Sequence, residues 1–475
     1  MRIGLNAAAL VLALFSTLGA AEAPPPGGPP RDFTLPPKET LALDNGMRVT
    51  LVPFGPAPKV TLAAVVRSGH LNEDGRTWIA DLAAELMKEG TARRSAEALA
   101  RELAGMGGSL DISVGDDLTT VSTDVLGEFS PSAIDVLADV LRNPALPEAE
   151  LPRIRRDALR NLSVARAQAQ SQALEAFRSM LYGDHPYGRV FPTEEQLAGY
   201  GIGDVRSYLE ANVGARRTHL YVVGRFDARA VRAAVKQAFG GWAPGPEPMV
   251  KVPGARAGSR FTLIDRPDAP QSTLYLGLPV ADPASEDYVP LLATNTLLGG
   301  YFSSRIVANI REDKGYTYSP RAEISTRYRD AYWVERADVT TAVTGPALKE
   351  IFHELERLQA EAPPAEELER TKRYMAGVFV LQNASREGII GQLSFIDLHG
   401  LGDRYLEEFV SRVEAVTPEQ VRDMTRRYLK VDAMSLAVVG DTAVVREQLV
   451  ALPQVGAKAA ETGPDGAGAR AAAAK

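Results

Sequence analysis

Hydrophobic positions along the chain follow two periods, which together predict strands and helices in a fixed order. Runs rich in β-branched residues at 49–52 and 60–66 predict strands, and apolar residues at helical spacing follow at 78–88 and 96–103. A hairpin is predicted at 109–124, and helical patterns then dominate until a last strand at 218–223. Strands at both ends with helices between them predict an α+β sandwich in which helices cover one face of a sheet.

This pattern occurs twice, because the two halves of the chain repeat each other. The segment 205–224 recurs 216 positions later with Val205, Arg206, Leu220, Val222, Val223 and Gly224 all identical at one offset. A second match pairs 147–156 with 364–373 at an offset of 217. The sequence therefore predicts a tandem duplication of one domain.

Segments rich in proline, glycine and alanine separate the predicted units. The first residues combine Arg2, an apolar run at 5–18 and Gly19-Ala20-Ala21, which is the form of a secretory signal. The predicted division is a signal peptide at 1–21, a flexible leader at 22–32, an N-terminal domain at 33–242, a linker at 243–259, a C-terminal domain at 260–452 and a disordered tail at 453–475.

Composition narrows the class of protein. A hydrophobic fraction of 45% with 24% charged residues is typical of a folded globular chain. The net charge of -7 argues against a nucleic-acid partner, which needs clustered uncompensated cations. The chain has no cysteine, so it forms no disulfide. The apolar run at 5–18 is shorter than the ~20 residues of a membrane-spanning helix. We expect the chain to be periplasmic or secreted, in a Gram-negative bacterium, with no stable membrane insertion after signal cleavage.

The segment 73–91 reads EDGRTWIADLAAELMKEGT. Together with the duplication it resembles the pitrilysin/insulinase family of inverzincin peptidases, and within it the subfamily built like mitochondrial processing peptidase. The resemblance covers nearly all of 38–445 and implies two homologous α+β sandwich domains joined by a linker in a clam-shell. In that family the active half carries H-x-x-E-H on a helix, because residues i and i+4 share a helix face and can both bind one zinc ion.

The resemblance places other residues where the zinc motif would be. Asp81 stands at the first His position, Ala84 at that of the catalytic Glu, Glu85 at that of the second His, and Asn161 near the distal ligand. It implies that this chain holds no zinc. Asp81 and Glu85 suit magnesium or calcium better than zinc, but we expect them to form a solvated or salt-bridged helix face. The five histidines include no pair at ligand spacing: His70, His185, His219, His353 and His399.

The second half retains a different family pattern at 297–318. The resemblance implies that an Arg and a Tyr seven residues later reach the substrate at a partner's zinc, and Arg311 and Tyr318 match both identity and spacing. A guanidinium can donate paired hydrogen bonds to peptide carbonyls, and a phenol can donate one to a developing oxyanion. The alternative is a surface arginine and a half-buried strand tyrosine. Gly299 and Gly300 fall in the family's glycine-rich substrate loop, although a tight turn between helices explains them equally well.

The resemblance implies a non-catalytic, substrate-binding subunit of a heterodimeric zinc metallopeptidase. A homologous subunit bearing H-x-x-E-H would supply the zinc, and the substrates would be peptides or unfolded protein segments that add as a strand to a sheet edge of that subunit. The chain alone would then be inactive as a peptidase. The alternative is a non-enzymatic scaffold or interaction protein of the same fold. His185, in the sequence DHPYG, is expected to order the chain after a helix.

Overall fold

The computed structural model describes residues 33–248, 252–253 and 258–461. The predicted signal peptide and leader lie outside the described residues, as do 249–251 and 254–257 of the predicted linker and the tail beyond 461. Among the described residues, no helix is both long enough and apolar enough to cross a membrane.

The N-terminal half contains a six-stranded sheet in the order β1-β2-β6-β3-β5-β4, with β2 and β6 parallel and the other neighbours antiparallel. Its strands are β1 (Glu39–Ala42), β2 (Arg48–Pro53), β3 (Lys59–Val66), β4 (Asp111–Val114), β5 (Thr119–Leu126) and β6 (Thr218–Gly224). Its helices are α1 (Ile79–Lys88), α2 (Ala96–Gly105), α3 (Ser130–Arg142), α4 (Leu151–Ala167), α5 (Ala169–Tyr182), α6 (Glu194–Gly199), α7 (Ile202–Asn212) and α8 (Ala228–Phe239).

The C-terminal half contains a five-stranded sheet in the order β7-β11-β8-β10-β9. Its strands are β7 (Phe261–Asp265), β8 (Gln271–Val280), β9 (Arg321–Arg327), β10 (Asp330–Thr340) and β11 (Ser435–Gly440). Its α-helices are α9 (Tyr288–Asn295), α10 (Thr344–Ala360), α11 (Ala365–Gln382), α12 (Arg386–His399), α13 (Asp403–Glu407), α14 (Phe409–Glu414), α15 (Pro418–Tyr428), α16 (Thr442–Val450) and α17 (Gly456–Glu461). Two π-helical segments, Thr296–Gly300 and Val307–Asp313, lie between α9 and β9.

The two sheets repeat one topology, which confirms the predicted fold class. In each half the last strand of the sheet, β6 or β11, lies between the first long strand and the following one, parallel to the former and antiparallel to the latter. These two strands contain the repeated Val-Val-Gly sequence that predicted the duplication.

Each sheet is covered on both faces, whereas the sequence predicted cover on one face. The second face of each sheet packs against the other half of the chain. On the C-terminal sheet, α5 of the N-terminal half places Phe177 against Tyr275 and Tyr332, with ring centroids 6.0 and 5.6 Å apart. Gly277 lies under that ring, because a Cβ there would come within 2.9 Å of Phe177 Cζ.

The reciprocal contact is made by α12 of the C-terminal half on the N-terminal sheet. Ile389 and Leu393 of α12 pack with Ala63, Tyr221 and Val223 of the sheet in one buried cluster. Helices α5 and α12 occupy equivalent places in the repeat, so the same helix of each half packs against the sheet of the other half. Each half therefore keeps a core of its own, and two further buried clusters join the halves.

Ion pairs close the contact between the halves at the β4–β5 turn. Asp116 accepts a hydrogen bond from Arg178 Nη2 at 2.7 Å and forms an ion pair with Arg327 Nε of the C-terminal half at 2.9 Å. The neighbouring Asp117 accepts hydrogen bonds from the Tyr187 hydroxyl and from the backbone N–H of Tyr328, the latter at 3.1 Å.

The ordered chain extends further than the predicted boundary at 452. Helix α17 follows it, and Val455 and Ala459 are buried in the C-terminal core. The alanine-rich composition that predicted disorder at 453–475 is therefore, up to residue 461, that of a short helix docked on the domain.

Candidate functional site

Helices α1 and α4 enclose a cavity of about 380 Å³ on the N-terminal half. Asp81 and Glu85 of α1 and Asn161 of α4 all line this α1–α4 pocket. The structure thus brings together three of the four residues that the sequence placed at the positions of the zinc motif. The fourth, Ala84, is only 5% exposed and belongs to the hydrophobic core beneath.

Positively charged groups already pair with the carboxylates of this pocket. Lys88 Nζ donates to Glu85 Oε1 at 2.7 Å, and His70 Nε2 lies 3.1 Å from Asp81 Oδ2. Across the pocket, Arg153 forms an ion pair with Asp157 at 3.5 Å.

His70 is the principal cation at this end of the pocket. It lies in the 3₁₀ turn His70–Asn72, which precedes α1, and its Nδ1 is 3.9 Å from Asp116 Oδ1. Burial alone lowers the pKa of His70, but its interactions with Asp116 and Asp81 outweigh burial and raise that pKa to about 10. The imidazole is therefore a cation at neutral pH, placed between two carboxylates.

A group of three possible metal ligands exists here: His70, Glu73 and Asp81 offer atoms within 4.8 Å of one another. A metal here would have to displace the proton of an imidazolium that two carboxylates stabilise. Burial raises the pKa of Glu73 to about 8, so this carboxyl is mostly protonated at neutral pH, and its Oε1 accepts a hydrogen bond from Ala80 N at 3.2 Å. Zinc prefers imidazole and thiolate ligands, which α1 does not offer. The residues present do not fit a zinc ion.

Trp78 shapes the mouth of the α1–α4 pocket. Its backbone has a positive φ of 68°, which is uncommon for a bulky residue and stores strain at the start of α1. The ring is held by a hydrogen bond from Nε1 to Val190 O at 3.1 Å and by an edge contact with Phe191.

Three of the four predicted residues of the C-terminal half line a second cavity, of about 530 Å³, and the fourth, Tyr318, contacts it only through Arg311. Gly299, Gly300 and Arg311 all line this Arg311 cavity, together with Tyr374 of α11 and Gln170 of α5. The glycine pair and the arginine therefore belong to one site.

The Arg311 guanidinium lies between two aromatic rings. Its central carbon is 4.6 Å from the centroid of Phe302 and 4.7 Å from that of Tyr318. Contacts with these two rings orient the guanidinium. Its Nε is 3.0 Å from Glu312 Oε1. The Tyr318 side chain is 78% exposed, so this residue is not the half-buried strand tyrosine of the alternative interpretation.

Gly299 and Gly300 are required by close packing, since neither has a positive φ. A Cβ at Gly299 would come within 2.6 Å of Ala322 Cβ and 2.9 Å of Glu335 Oε2, and one at Gly300 within 3.0 Å of Asn295 Nδ2. Both glycines sit at the end of a π-helical segment, a conformation frequent at functional sites. A turn between two helical segments follows the pair at 301–304, as the alternative interpretation of the sequence expects.

Glu335 of β10 lies directly beneath the glycine pair. It is 1% exposed, and among the described residues neither carboxylate oxygen has a hydrogen-bond partner. Burial raises the pKa of Glu335 well above its usual range, which favours the protonated form of the side chain.

The two cavities are built differently. Strand residues such as Thr273 and Asp338 line the Arg311 cavity, whereas α1, α4 and Trp78 line the α1–α4 pocket. The cavities share no lining residue. Arg311 and Tyr318 thus belong to a different site from the α1–α4 pocket of the same chain.

His185 has a local role. Its Nδ1 accepts a hydrogen bond from the backbone N–H of Tyr187 at 3.2 Å, which caps the 3₁₀ turn after α5. This contact fits the structural interpretation of the DHPYG sequence.

Sequence reasoning missed His70 and Phe302, which complete the two sites. Both depend on contacts that the local pattern does not contain. In the sequence, His70 is an isolated histidine three residues before Glu73, and Phe302 is an aromatic residue two positions after the glycine pair. The structure adds that Glu73 is buried and Phe302 is exposed.

Two family models match the chain. The model described as insulinase (peptidase family M16) matches residues 48–192, and the one described as peptidase M16 inactive domain matches residues 202–375. The N-terminal match therefore contains the α1–α4 pocket, and the C-terminal match contains Arg311 and Tyr318.

Curated relatives are similar over most of the chain. An uncharacterized zinc protease of Bacillus subtilis, YmxG, is 24% identical over 82% of this chain and 95% of its own length. A probable beta subunit of mitochondrial-processing peptidase from Arabidopsis thaliana is 25% identical over 57% of this chain and 52% of its own length.

Solved structures share the fold. A peptidase M16 inactive domain from Pseudomonas fluorescens aligns with a TM-score of 0.78 at 23% identity, covering 85% of this chain and 98% of that one. A protease from Helicobacter pylori aligns with a TM-score of 0.77 at 18% identity, covering 86% of this chain and 100% of that one. With its duplicated topology and these two matches, this chain belongs to the peptidase M16 family.

Proposed function

We propose that this chain is the non-catalytic, substrate-binding subunit of a heterodimeric zinc metallopeptidase that acts on peptides or unfolded protein segments. The observation that carries the proposal is the Arg311 guanidinium, which contacts the rings of Phe302 and Tyr318 and lines a cavity of about 530 Å³. An oriented cation and an exposed phenol next to an open cavity are suited to binding a peptide backbone.

Each of the two side chains has a distinct part. Arg311 can donate paired hydrogen bonds from its exposed edge to peptide carbonyl oxygens, which fixes the position of the chain to be cut. The Tyr318 hydroxyl can donate to the oxygen of the scissile carbonyl as negative charge develops there. The stacked guanidinium keeps both donors in one place before the peptide arrives.

The zinc ion would come from a homologous partner that carries H-x-x-E-H, since the donor set of the α1–α4 pocket does not fit zinc. The similarity to a relative named as a subunit of a processing peptidase supports a two-chain enzyme. The names of the bacterial relatives support zinc peptidase chemistry in such an assembly.

We also propose that the protein acts in the periplasm or outside the cell. This rests on the signal-like residues 1–21, with Arg2 before the apolar run and a small-residue cleavage site after it. Edman sequencing or mass spectrometry of the exported protein, with a mature N-terminus after residue 21, tests it.

The decisive experiment combines the purified chain with an H-x-x-E-H homologue encoded beside it and follows cleavage of unstructured peptides. The pair is expected to cleave and the chain alone is not. Arg311→Ala and Tyr318→Phe are expected to reduce cleavage by the pair, whereas Arg101→Ala, a 75% exposed arginine on α2, is the matched control. Cleavage that is unchanged in both site variants would overturn the proposal and favour a scaffold role.

A further inference from the structure

A small, strongly basic cavity lies between the two halves, far in sequence from the residues of the proposed peptidase site. Its volume is about 90 Å³. Four arginines line it, all from the N-terminal half: Arg48, Arg67, Arg216 and Arg217. The opposite wall is formed by α12 of the C-terminal half and by Pro248 of the linker.

The carboxylates around this cavity do not balance the arginines. Asp397 is the single carboxylate among the lining residues, and it is shared by Arg48 and by His219 Nδ1 at 3.2 Å. Glu247 pairs with Arg216 at 3.0 Å, but its own side chain is 73% exposed. Burial lowers the pKa of His219, so at neutral pH this ring adds no positive charge.

Arg217 is the most buried of the four, at 3% exposed. Its described contacts are all to backbone carbonyl oxygens: Nε to Pro246 at 3.1 Å, Nη1 to Arg67 at 3.2 Å and Nη2 to Glu247 at 2.7 Å. These use three of the five N–H donors of a guanidinium. A buried cation held only by neutral acceptors is costly unless an anion completes its surroundings.

Arg67 is the second arginine with no carboxylate partner among its described contacts. Its guanidinium lies against the Tyr328 ring, 5.0 Å from the centroid, which orients it without neutralising it. Burial is the main cause that lowers the pKa of Arg217, and the charge of Arg67 lowers it further, against opposing effects of Tyr208 and Glu247. Both arginines line the cavity, and Arg217 Nη1 donates to the backbone oxygen of Arg67. Two adjacent guanidinium groups with free donors are the arrangement that binds oxyanions.

We propose that this cavity binds a small oxyanion of the phosphate or sulfate type, with Arg67, Arg216 and Arg217 as its principal ligands. A cavity needs roughly 10–15 Å³ for each water, so about 90 Å³ has room for one such anion and too little for a peptide. The bound anion would contact β6, the linker and α12 at once. It would therefore tie the two halves together, apart from any event at the Arg311 cavity.

The test uses the isolated full chain and inorganic phosphate as the probe. We expect the melting temperature to rise with the logarithm of the phosphate concentration above the Kd, by roughly 3 °C at about 100 times the Kd, relative to sodium chloride at equal ionic strength. Parallel titrations with sulfate and acetate separate a tetrahedral oxyanion from a carboxylate: sulfate should replace phosphate, and acetate should not. Isothermal titration calorimetry gives the Kd and the stoichiometry.

Arg67→Gln and Arg216→Gln are the informative variants, because both residues are less buried than Arg217 and the variants are expected to fold. Each should weaken phosphate binding by about tenfold or more. Arg225→Gln is the control, since that arginine donates to Pro56 O at 3.0 Å on another surface and should leave the Kd unchanged. No saturable binding of phosphate to the wild type by calorimetry, or an unchanged Kd in Arg67→Gln, overturns the proposal. Because no partner chain or peptide is present, the result is independent of the proposed peptidase function.

Discussion

His70 Nε2 lies 3.1 Å from Asp81 Oδ2. Asp81 stands at the position where the resemblance to zinc peptidases places the first metal-binding histidine. A loop residue thus supplies positive charge to the carboxylate on α1. The nearby Glu85 is paired with Lys88 in the same way. The two α1 carboxylates of the pocket are therefore each paired with a positively charged side chain of this chain.

We predict that His70→Gln destabilises the protein by about 2 kcal/mol at neutral pH, because it removes two interactions of an imidazolium with carboxylates. The folded-state pKa of about 10 is above the ordinary value of 6.5, so the stabilisation is fully present below pH 6.5 and is lost as pH rises through about 10. Urea unfolding at several pH values measures the difference between the variant and the wild type. His353→Gln, on the exposed face of α10, is the control and should change little. A constant difference between neutral pH and pH 10 would contradict the assignment.

We predict that Arg311→Lys does not replace arginine in the two-chain enzyme. A lysine ammonium has no planar face to stack on the rings of Phe302 and Tyr318, and it cannot present two parallel donors. Cleavage by the pair should therefore remain reduced in this variant.

We predict that Tyr318→Phe, which keeps the ring, lowers kcat by about 100-fold with little change in KM, as expected for a donor used in the transition state. Steady-state kinetics of the assembled pair separates the two effects. A Tyr318→Phe enzyme that changes only in KM would assign this residue to substrate binding.

We predict that Gly299→Ala destabilises the C-terminal half by about 1–3 kcal/mol, because its Cβ would overlap Ala322 and Glu335. Gly377→Ala is the matched control: this glycine is in α11, nothing lies within 4 Å of a Cβ there, and alanine should stabilise the helix by about 0.5–1 kcal/mol. Thermal denaturation of both variants distinguishes close packing from general intolerance of alanine. Equal melting temperatures for the two variants would refute the packing explanation.

We predict that Glu335→Gln raises stability more at about pH 8 than at about pH 5. Burial holds the pKa of Glu335 well above 4.5, so the wild type loses stability as pH rises from 4.5 towards the folded-state value, whereas glutamine has no proton to lose. The melting temperature across this range measures the effect. Glu356→Gln, at an exposed position of α10, should show no such trend. A gap between variant and wild type that does not grow with pH would indicate that Glu335 is ionised in the folded state.

Much of the fold could be predicted from the sequence, because the information is local. The repeated Val-Val-Gly segments predicted two equivalent strands, and β6 and β11 occupy the same place in their sheets. The shared helix face of Asp81 and Glu85 followed from their spacing alone. Arg311 and Gly299, twelve residues apart, also proved to line one cavity.

The packing between the halves could not be predicted in the same way. Cover on both faces of the N-terminal sheet depends on α12, more than 160 residues after β6. A signal was present nonetheless: residues 219–223 form a continuous largely apolar run without alternation, which is typical of strands buried on both sides. The role of His70 was missed for a similar reason, because its partner Asp116 lies in the β4–β5 turn, more than 40 residues later in the sequence.

The most direct test of the central claim is the zinc content of the isolated, full-length chain after equilibrium dialysis against zinc, measured by atomic emission. Asp81→His/Glu85→His, which restores two imidazoles on one face of α1, is the comparison and should gain zinc affinity. The account predicts no stoichiometric zinc in the wild type, because His70 and Lys88 already hold the two carboxylates. One zinc per wild-type chain, lost in Asp81→Ala, would contradict it.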